Sequence, residues 1–252
     1  MNLIEYTRMY EVEDHHWWYV GLHELVLAAV RRESQRLGRP LDIFDAGCGT
    51  GRLCQLLHQQ GHKVTGCDAS EEAMRLCRRR GISGVYQADL NSLDLEPESF
   101  DVITSLDVLY HTGITDDVAV MRRLRKGIRP GGSLIMNLVA HEFLRSTHDI
   151  AVHTRERYTK DSLCLRLQDA GFSSEFATYR VSILFPFIAL YRRLSRRAAR
   201  KKTNHEEVDS DVSLPYWPVN STLLKIVEME NMFLRVATLP FGSSVFVVAR
   251  NV

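Results

Sequence analysis

Glycines and a carboxylate stand together at one point of this sequence, directly after a short apolar run. The stretch Asp45-Ala46-Gly47-Cys48-Gly49-Thr50-Gly51 follows the mostly apolar residues 41–44, and residues 52–60 then carry leucines at helical spacing. The apolar run predicts a buried strand, and glycine lets the backbone turn sharply and approach a ligand where a Cβ would collide. The sequence therefore predicts a strand, a ligand-binding turn and a helix.

The glycine spacing separates this turn from two phosphate-binding patterns. A dinucleotide fingerprint that starts at Gly47 needs a small residue at position 52, where this sequence has Arg52. A phosphate-binding P-loop needs Gly-Lys followed by Ser or Thr, which does not occur in the sequence. Both patterns are disfavoured, although a bland tight turn stays open.

Further acids follow later apolar runs in the same way. Asp68 ends a short strand-like run about twenty residues after the glycines, Asp89 follows a third run, and Asp107 follows a fourth. A carboxylate at the first of these positions in a doubly wound sheet suits the two hydroxyl donors of a ribose. The alternative for Asp68 is to cap the helix that begins near Ser70, and Asp89 is by itself typical of a loop or a cap.

The stretch Asp45 to Gly51 resembles the first motif of the class I S-adenosylmethionine-dependent methyltransferases. The turn Ile128-Arg129-Pro130-Gly131-Gly132 before a further apolar run is similar to a turn of the same family. The resemblance implies an α/β fold with a doubly wound, seven-stranded, mostly parallel sheet. The last strand of this sheet, predicted over 243–250, is antiparallel. The N-terminal segment forms a helical lid, and a helical insertion precedes the last strand.

The resemblance also implies the cofactor, S-adenosyl-L-methionine, and the residues that hold it. The glycine backbone packs against the methionine and ribose parts, Asp68 binds the ribose, and Asp89 pairs with the adenine amino group. The predicted cofactor-binding residues are Asp45, Gly47, Cys48, Gly49, Gly51, Asp68, Ala69, Asp89, Leu90 and Leu106.

An aromatic cluster near the N-terminus is a second candidate part of the site. His15, His16, Trp17, Trp18 and Tyr19 are consecutive, and such side chains are costly to leave exposed without use. One interpretation is a lid that packs on the core. The other is a cover over cofactor and acceptor that excludes water.

The region after residue 140 resembles a bacterial subgroup of the same family. A His148-Asp149 pair and the run Arg155-Glu156-Arg157-Tyr158 carry this resemblance, with Glu156 interrupting a double arginine. Arg157 provides a fork of donors for an acceptor, and Asp107 and His148 join it as predicted substrate-binding residues. The alternative is that Asp149 and Arg157 pair with each other and brace a loop.

Methyl transfer to a hydroxyl requires alignment and removal of a proton, and it requires no metal. The sequence has no metal-binding constellation and no nucleophile elbow. The candidate bases are His15, His16, His111, His148 and His153. Their places after the fourth and fifth strands favour His111 and His153, and Tyr158 completes the predicted catalytic set.

Length and composition are those of one α/β domain. The 252 residues predict a single methyltransferase domain with a lid over 1–40, a cofactor-binding half over 41–140, an acceptor-side half over 141–252 and a mobile loop over 203–213. A net charge of +1 gives no global field for nucleic acid, so no nucleic-acid partner is expected. Five cysteines without a C-x-x-C pair, and no signal peptide or spanning run, predict a cytoplasmic protein.

The segment 186–202 is apolar at its start and strongly basic afterwards. As a helix it suits peripheral contact with an anionic membrane, and a solvated helix followed by a linker is the alternative. The composition of this segment indicates a lipid-linked acceptor.

The predicted function is transfer of a methyl group in line to an oxygen or nitrogen of a small or lipid- or sugar-linked acceptor. Two other classes stay open. One is a catalytically silent partner protein that keeps the cofactor fold, and the other is a nicotinamide-dependent oxidoreductase, which Arg52 disfavours.

Overall fold

The computed structural model describes residues 3–199 and 213–252, and it shows helices on both faces of one seven-stranded sheet. The elements in chain order are α1 (Leu3–Val12), α2 (Trp17–Leu37), β1 (Asp42–Ala46), α3 (Arg52–Gln59), β2 (Lys63–Asp68), α4 (Glu71–Arg79), β3 (Val85–Gln87), β4 (Phe100–Leu106), α5 (Asp117–Gly127), β5 (Ile128–Val139), α6 (Thr147–Ala151), α7 (Lys160–Asp169), β6 (Phe172–Arg180), α8 (Phe185–Ala199), α9 (Trp217–Leu234) and β7 (Ser244–Asn251). A single 3₁₀ turn, Glu142–Leu144, follows β5.

The strand order confirms the predicted fold class. The order is β3-β2-β1-β4-β5-β7-β6, with β1 to β5 mutually parallel and β7 antiparallel to both of its neighbours. The chain therefore winds outward from β1 in one direction and from β4 in the other. Open α/β sheets bind their ligands beyond the carboxyl ends of the strands at such a switch point.

Side chains of β5 alternate between two buried layers, as a strand covered on both faces requires. Leu134 and Met136 pack with the helices α5 and α7, whereas Ile135 packs with α2, α3 and α9. This alternation places a hydrophobic core on each face of the sheet. The glycine turn and the strand-end acids then lie at the rim between the two layers.

The edge strand β3 is short, Val85–Gln87, and pairs with β2 alone. The helix α9 begins at Trp217 and has Pro218 in its first turn, where the missing N–H costs nothing. All but Ser213 of the loop predicted over 203–213 lies outside the described residues.

None of the described helices is both long and apolar enough to cross a membrane.

The amino ends of the central strands are held together by one buried carboxylate. Asp101 on β4 accepts two bonds from Arg39, at 2.8 and 2.7 Å, and one from the Asp42 amide at 2.9 Å. Arg129 lies 2.9 Å from the same carboxylate. Burial acts to raise the pKa of Asp101, but the hydrogen bonds from Arg39 and the Asp42 amide, with Arg129, lower it below its usual value.

We expect Asp101→Asn to destabilise the fold by roughly 2–4 kcal/mol at neutral pH, because it leaves Arg39 and Arg129 without their shared counter-charge. The folded-state pKa of Asp101 is lowered, so its stabilising contribution is present above the ordinary aspartate pKa and is lost as pH falls below it. The difference in unfolding free energy between the wild type and Asp101→Asn should therefore shrink in acid. Urea unfolding at several pH values measures it, with the exposed Asp94→Asn as the matched control. An equal loss in both variants would contradict this role.

Candidate active site

A cavity of about 860 Å³ opens at the carboxyl ends of the strands. Residues that follow β1, β2, β3 and β4 line one end, and the start of α2 lines the other together with the segment after β5. The sequence-predicted residues on its wall are His16, Trp17, Trp18, Tyr19, Asp45, Gly47, Cys48, Gly49, Asp68, Ala69, Asp89, Leu90, Leu106, Asp107, His111 and Arg157. Gly51 and His15 are not on the wall, and neither are His153 and Tyr158.

The glycine turn is fixed by its contacts with the neighbouring strands. The amides of Gly47 and Cys48 both donate to the carbonyl of Cys67 on β2, at 2.8 and 2.9 Å. Gly47 has φ +88°, and a Cβ there would lie 2.3 Å from Cγ2 of Val108. No other residue fits this position without displacing the turn after β4. The backbone is therefore open to a ligand at this point.

Gly51 does not line the cavity and lies directly before α3. Its φ is +80° as the residue before α3, and a Cβ would lie 2.8 Å from the Cys77 sulfur. Gly51 thus lets α3 begin against α4 and shapes the turn without lining the cavity.

Asp68 occupies the expected place at the end of β2 and is almost fully buried. It accepts hydrogen bonds from the Tyr6 hydroxyl at 2.9 Å, the Gly49 amide at 3.0 Å and the Ser70 amide at 3.0 Å. A carboxylate has about four acceptor positions, so one stays available and the Tyr6 bond is exchangeable for a ligand hydroxyl. The cap of α4 is provided by Ser70 instead, whose side chain accepts a hydrogen bond from the Ala73 amide.

Asp45 and Asp89 also border this end of the cavity. Asp45 is buried and accepts from the Thr104 hydroxyl at 2.7 Å, and its burial raises its pKa to about 6. Asp89 is exposed and accepts from the amide and side chain of Asn91, at 2.9 and 2.7 Å. Asp89 therefore organises its own loop while its carboxylate borders the cavity.

The N-terminal helix α1 supplies residues that the sequence analysis missed. Tyr6 bonds to Asp68, and Met9 lies 3.1 Å from the position of a Cβ on Gly49. Glu13, just after α1, accepts from the Thr50 hydroxyl and from Arg80 at 2.6 Å. The only local signal for these contacts was the apolar face of a short helix. Contacts across more than sixty residues of sequence carry no local pattern.

The aromatic cluster forms the opposite end of the cavity. His16 caps α2 by accepting from the Trp18 amide, and its burial lowers its pKa to about 4. The Trp17 and Trp18 rings meet edge to face, with centroids 5.6 Å apart. His15, in contrast, is exposed, and its carbonyl accepts from Asn220 of α9. The cluster both packs on α9 and lines the cavity.

Asp107 follows β4 and lies on the cavity wall. Its φ is +58°, its amide donates to the Asn137 carbonyl, and its carboxylate accepts from the Asn137 side chain at 2.8 Å. Burial raises the pKa of Asp107 to about 6, against the lowering effects of Arg180, the Asn137 bond and Arg157. The carboxylate is therefore oriented and titrates close to neutrality.

The predicted catalytic residues are separated by the structure. His111 lies on the cavity wall, and burial lowers its pKa to about 4, so it is neutral at neutral pH. The His153 ring is 5.6 Å from the His111 ring, and His153 is exposed and not on the cavity wall. Tyr158 is fully buried in the core and donates to Asp117 at 2.6 Å, with the Arg166 guanidinium over its ring. This position, away from the cavity, removes Tyr158 from the catalytic set.

Arg157 is on the cavity wall but is paired. It donates to both oxygens of the buried Asp149, at 2.8 and 3.1 Å, and to the Ala140 carbonyl at 2.8 Å. This is the bracing arrangement that the sequence analysis left open as the alternative to substrate binding. The side chain of His148 lies outside the described residues.

Residues 44–136 match the methyltransferase domain family. The ubiquinone biosynthesis O-methyltransferase of Idiomarina loihiensis is 28% identical over 153 residues, which cover 54% of this chain and 62% of that protein. The enzyme of the same name from Pseudomonas paraeruginosa is 28% identical over 142 residues, or 52% of this chain and 60% of that protein. The chain thus spans about three fifths of the length of the curated relatives it matches.

The fold comparison agrees with these matches. A methyltransferase structure from Thermotoga maritima covers 98% of this chain and 95% of its own, with a TM-score of 0.56 and 18% identity. A methyltransferase structure from Mesorhizobium loti covers 84% of this chain and 91% of its own, with a TM-score of 0.54 and 20% identity. The match over residues 44–136 includes the glycine turn, Asp68, Asp89 and Asp107, and the two solved structures share the fold of this chain.

Proposed function

We propose that this protein transfers a methyl group from S-adenosylmethionine to an oxygen of a small acceptor. One observation carries the proposal: the glycine turn, Asp68 and Asp89 line the same cavity as Asp107, His111 and the aromatic cluster. Cofactor and acceptor then meet across one continuous space. The two matched relatives from Idiomarina loihiensis and Pseudomonas paraeruginosa are named O-methyltransferases, which supports oxygen over nitrogen.

The cavity wall fits the cofactor chemically. The turn at Gly47 offers backbone where a Cβ could not stand, and Asp68 keeps acceptor capacity for a ribose diol. Tyr6 and Met9 close this end against solvent. When bound, S-adenosylmethionine supplies a methyl group on a positively charged sulfur, which is already an activated leaving group.

The residues of this chain would then align the acceptor and take its proton. The acceptor oxygen forms a bond to the methyl carbon as the carbon–sulfur bond breaks, and the hydroxyl proton passes to a base. Asp107 is the base that the geometry supports best, because Asn137 fixes its carboxylate beside the end of β4. His111, neutral and on the same wall, is the second candidate.

Cofactor binding tests the first part of the proposal. Isothermal titration should show binding of S-adenosylhomocysteine and none of NAD, and Asp68→Asn should weaken binding roughly 10- to 100-fold through loss of charge-assisted hydrogen bonds. The exposed Asp94→Asn should leave the affinity unchanged. Tight NAD binding without S-adenosylhomocysteine binding would instead favour the oxidoreductase alternative. Cofactor binding with no methyl transfer to any phenol in a broad screen would favour the silent partner protein.

The pH profile separates the two candidate bases. A base must be deprotonated, so with Asp107 as the base kcat/KM rises with pH through about 6 and then levels. Asp107→Asn should lower kcat roughly 100- to 10,000-fold and remove this limb, whereas His111→Asn should keep the limb. A limb that survives in Asp107→Asn and disappears in His111→Asn would assign the base to His111.

We also propose that the segment 186–202 contacts an anionic membrane. Phe187, Leu190 and Tyr191 of α8 are exposed apolar side chains near the cavity wall residues Ile188 and Arg192. The basic residues Arg196, Arg197 and Arg200 follow in the sequence, and their side chains lie outside the described residues. An entrance beside an apolar surface would admit a lipid-linked acceptor.

Vesicle sedimentation tests the membrane contact. The protein should bind phosphatidylserine vesicles better than phosphatidylcholine vesicles, and Arg196→Gln with Arg197→Gln should weaken this binding roughly 30-fold, at about 1 kcal/mol for each basic residue. Arg31→Gln with Arg32→Gln on the exposed side of α2 removes the same charge elsewhere and serves as the control. An equal effect of both pairs would exclude a specific contact.

A further inference from the structure

Tyr110, in the turn after β4, carries a hydroxyl group that is open to the cavity. The side chain lines the cavity and is half-buried. Within the described residues the hydroxyl makes no hydrogen bond, and its oxygen keeps solvent-accessible surface. A tyrosine hydroxyl at such depth normally has a partner, so this one is available to a ligand.

The position of Tyr110 is fixed by its surroundings. The Tyr110 carbonyl accepts from the Arg155 amide at 2.7 Å, and the Val108 carbonyl accepts from the His111 amide at 3.0 Å. The ring packs against the buried core on the α5 and α7 face of the sheet. A tyrosine held in this way loses little conformational entropy when its hydroxyl binds a ligand, because its side chain has only two torsions.

Tyr19, in the first turn of α2, carries a second hydroxyl of this kind. It lines the cavity and makes no side-chain hydrogen bond within the described residues, and its ring meets that of His16 edge to face with centroids 5.6 Å apart. Burial raises the pKa of Tyr19 and of Tyr110, and the nearby Asp107 carboxylate raises it further. In the described part of the chain no hydrogen bond joins any two of these three side chains. They therefore surround cavity space instead of satisfying one another.

The protonation states give these groups different roles. Both tyrosines keep their protons at neutral pH because their pKa is raised, so each is a donor and neither is a base. Asp107, whose pKa burial raises to about 6, is ionised at neutral pH and can accept a proton. Of the charged groups that raise the pKa of each tyrosine, Asp107 has the largest effect on Tyr110, whereas Glu13 has the largest effect on Tyr19. Tyr110 is therefore the donor that shares a site with Asp107.

We propose that Tyr110 is a catalytic residue that donates a hydrogen bond to the acceptor oxygen while Asp107 takes the proton of that oxygen. This inference rests on the proposed function and adds a residue to it. An acceptor hydroxyl has one proton and two lone pairs. The proton passes to Asp107, one lone pair forms the bond to the methyl carbon as the carbon–sulfur bond breaks, and the other accepts from Tyr110. The orientation of the attacking oxygen is then fixed before the reaction.

The same arrangement selects oxygen over nitrogen in the acceptor. A neutral amine has a single lone pair, and that pair must form the bond to the methyl carbon. A hydrogen bond from Tyr110 would occupy this pair, so the donor assists a hydroxyl and hinders an amine. The acceptor class that follows is a hydroxyl compound, on grounds that do not depend on the sequence comparisons.

The experiment uses three probes that differ at one substituent. Acetophenone, 4-hydroxyacetophenone and 4-aminoacetophenone are titrated calorimetrically into the protein saturated with S-adenosylhomocysteine. The wild type should bind the hydroxyl compound roughly 10- to 100-fold more tightly than acetophenone. Tyr110→Phe should reduce this ratio roughly 3- to 10-fold because one hydrogen bond is lost, and it should leave the affinities for acetophenone and the amine unchanged.

A matched control separates a hydrogen bond to the probe from a structural effect. Tyr86→Phe removes an exposed hydroxyl from β3 and should keep the ratio. An unchanged ratio in Tyr110→Phe, an equal loss of affinity for all three probes in that variant, or a wild type that does not prefer the hydroxyl compound would each overturn the inference. Failure to bind S-adenosylhomocysteine at all would instead refute the proposed function.

Discussion

The close approach of the turn after β1 to the turn after β4 is the constraint on which the rest of the site depends. These two strands are neighbours at the switch point of the sheet, and the absent Cβ of Gly47 lets Val108 come within 2.3 Å of where it would be. This contact sets the ligand-binding backbone of the first turn directly beside Asp107. A larger residue at position 47 would separate the two halves of the cavity, and alignment of two reactants tolerates displacements of well under an ångström.

The buried charges fall into two groups that differ in how completely they are paired. Asp101 and Asp149 each accept several hydrogen bonds from arginine and backbone donors, and they hold strands and loops in place. Among the described residues, Asp107 on the cavity wall accepts one hydrogen bond, from Asn137, and the fully buried Arg180 makes none. Incomplete pairing of buried charge lowers stability unless a ligand completes it, and such groups concentrate at functional sites. The difference marks which carboxylates belong to the fold and which border the chemistry.

Local patterns were enough to predict the fold and to identify the acids that follow its strands, because strands, turns and strand-end acids are recognised from adjacent residues. The parallel order then brings Asp68, Asp89 and Asp107 to one edge without further information. The contacts made by the N-terminal helices are different, since Tyr6 meets Asp68 across 62 positions and Trp17 meets Asn220 across 203 positions. Arg157 and Tyr158 show the same limit at short range. They are consecutive in extended backbone and point to opposite sides, one to the cavity and one to the core, and the residue types alone do not say which.

Both closed ends of the cavity come from the first forty residues, which places the N-terminal helices within the site. Tyr6 of α1 covers the glycine turn and Asp68, while the start of α2 lines the acceptor end and is fastened to α9 by Asn220 and Asn231. Glu13 sits between the two helices and ties them to Thr50 and Arg80, so the cover is joined to the turn that it covers. Exclusion of water matters here because it keeps Asp107 at a pKa near 6. The position of α1 and α2 therefore controls the electrostatics of the acceptor end as well as access to it.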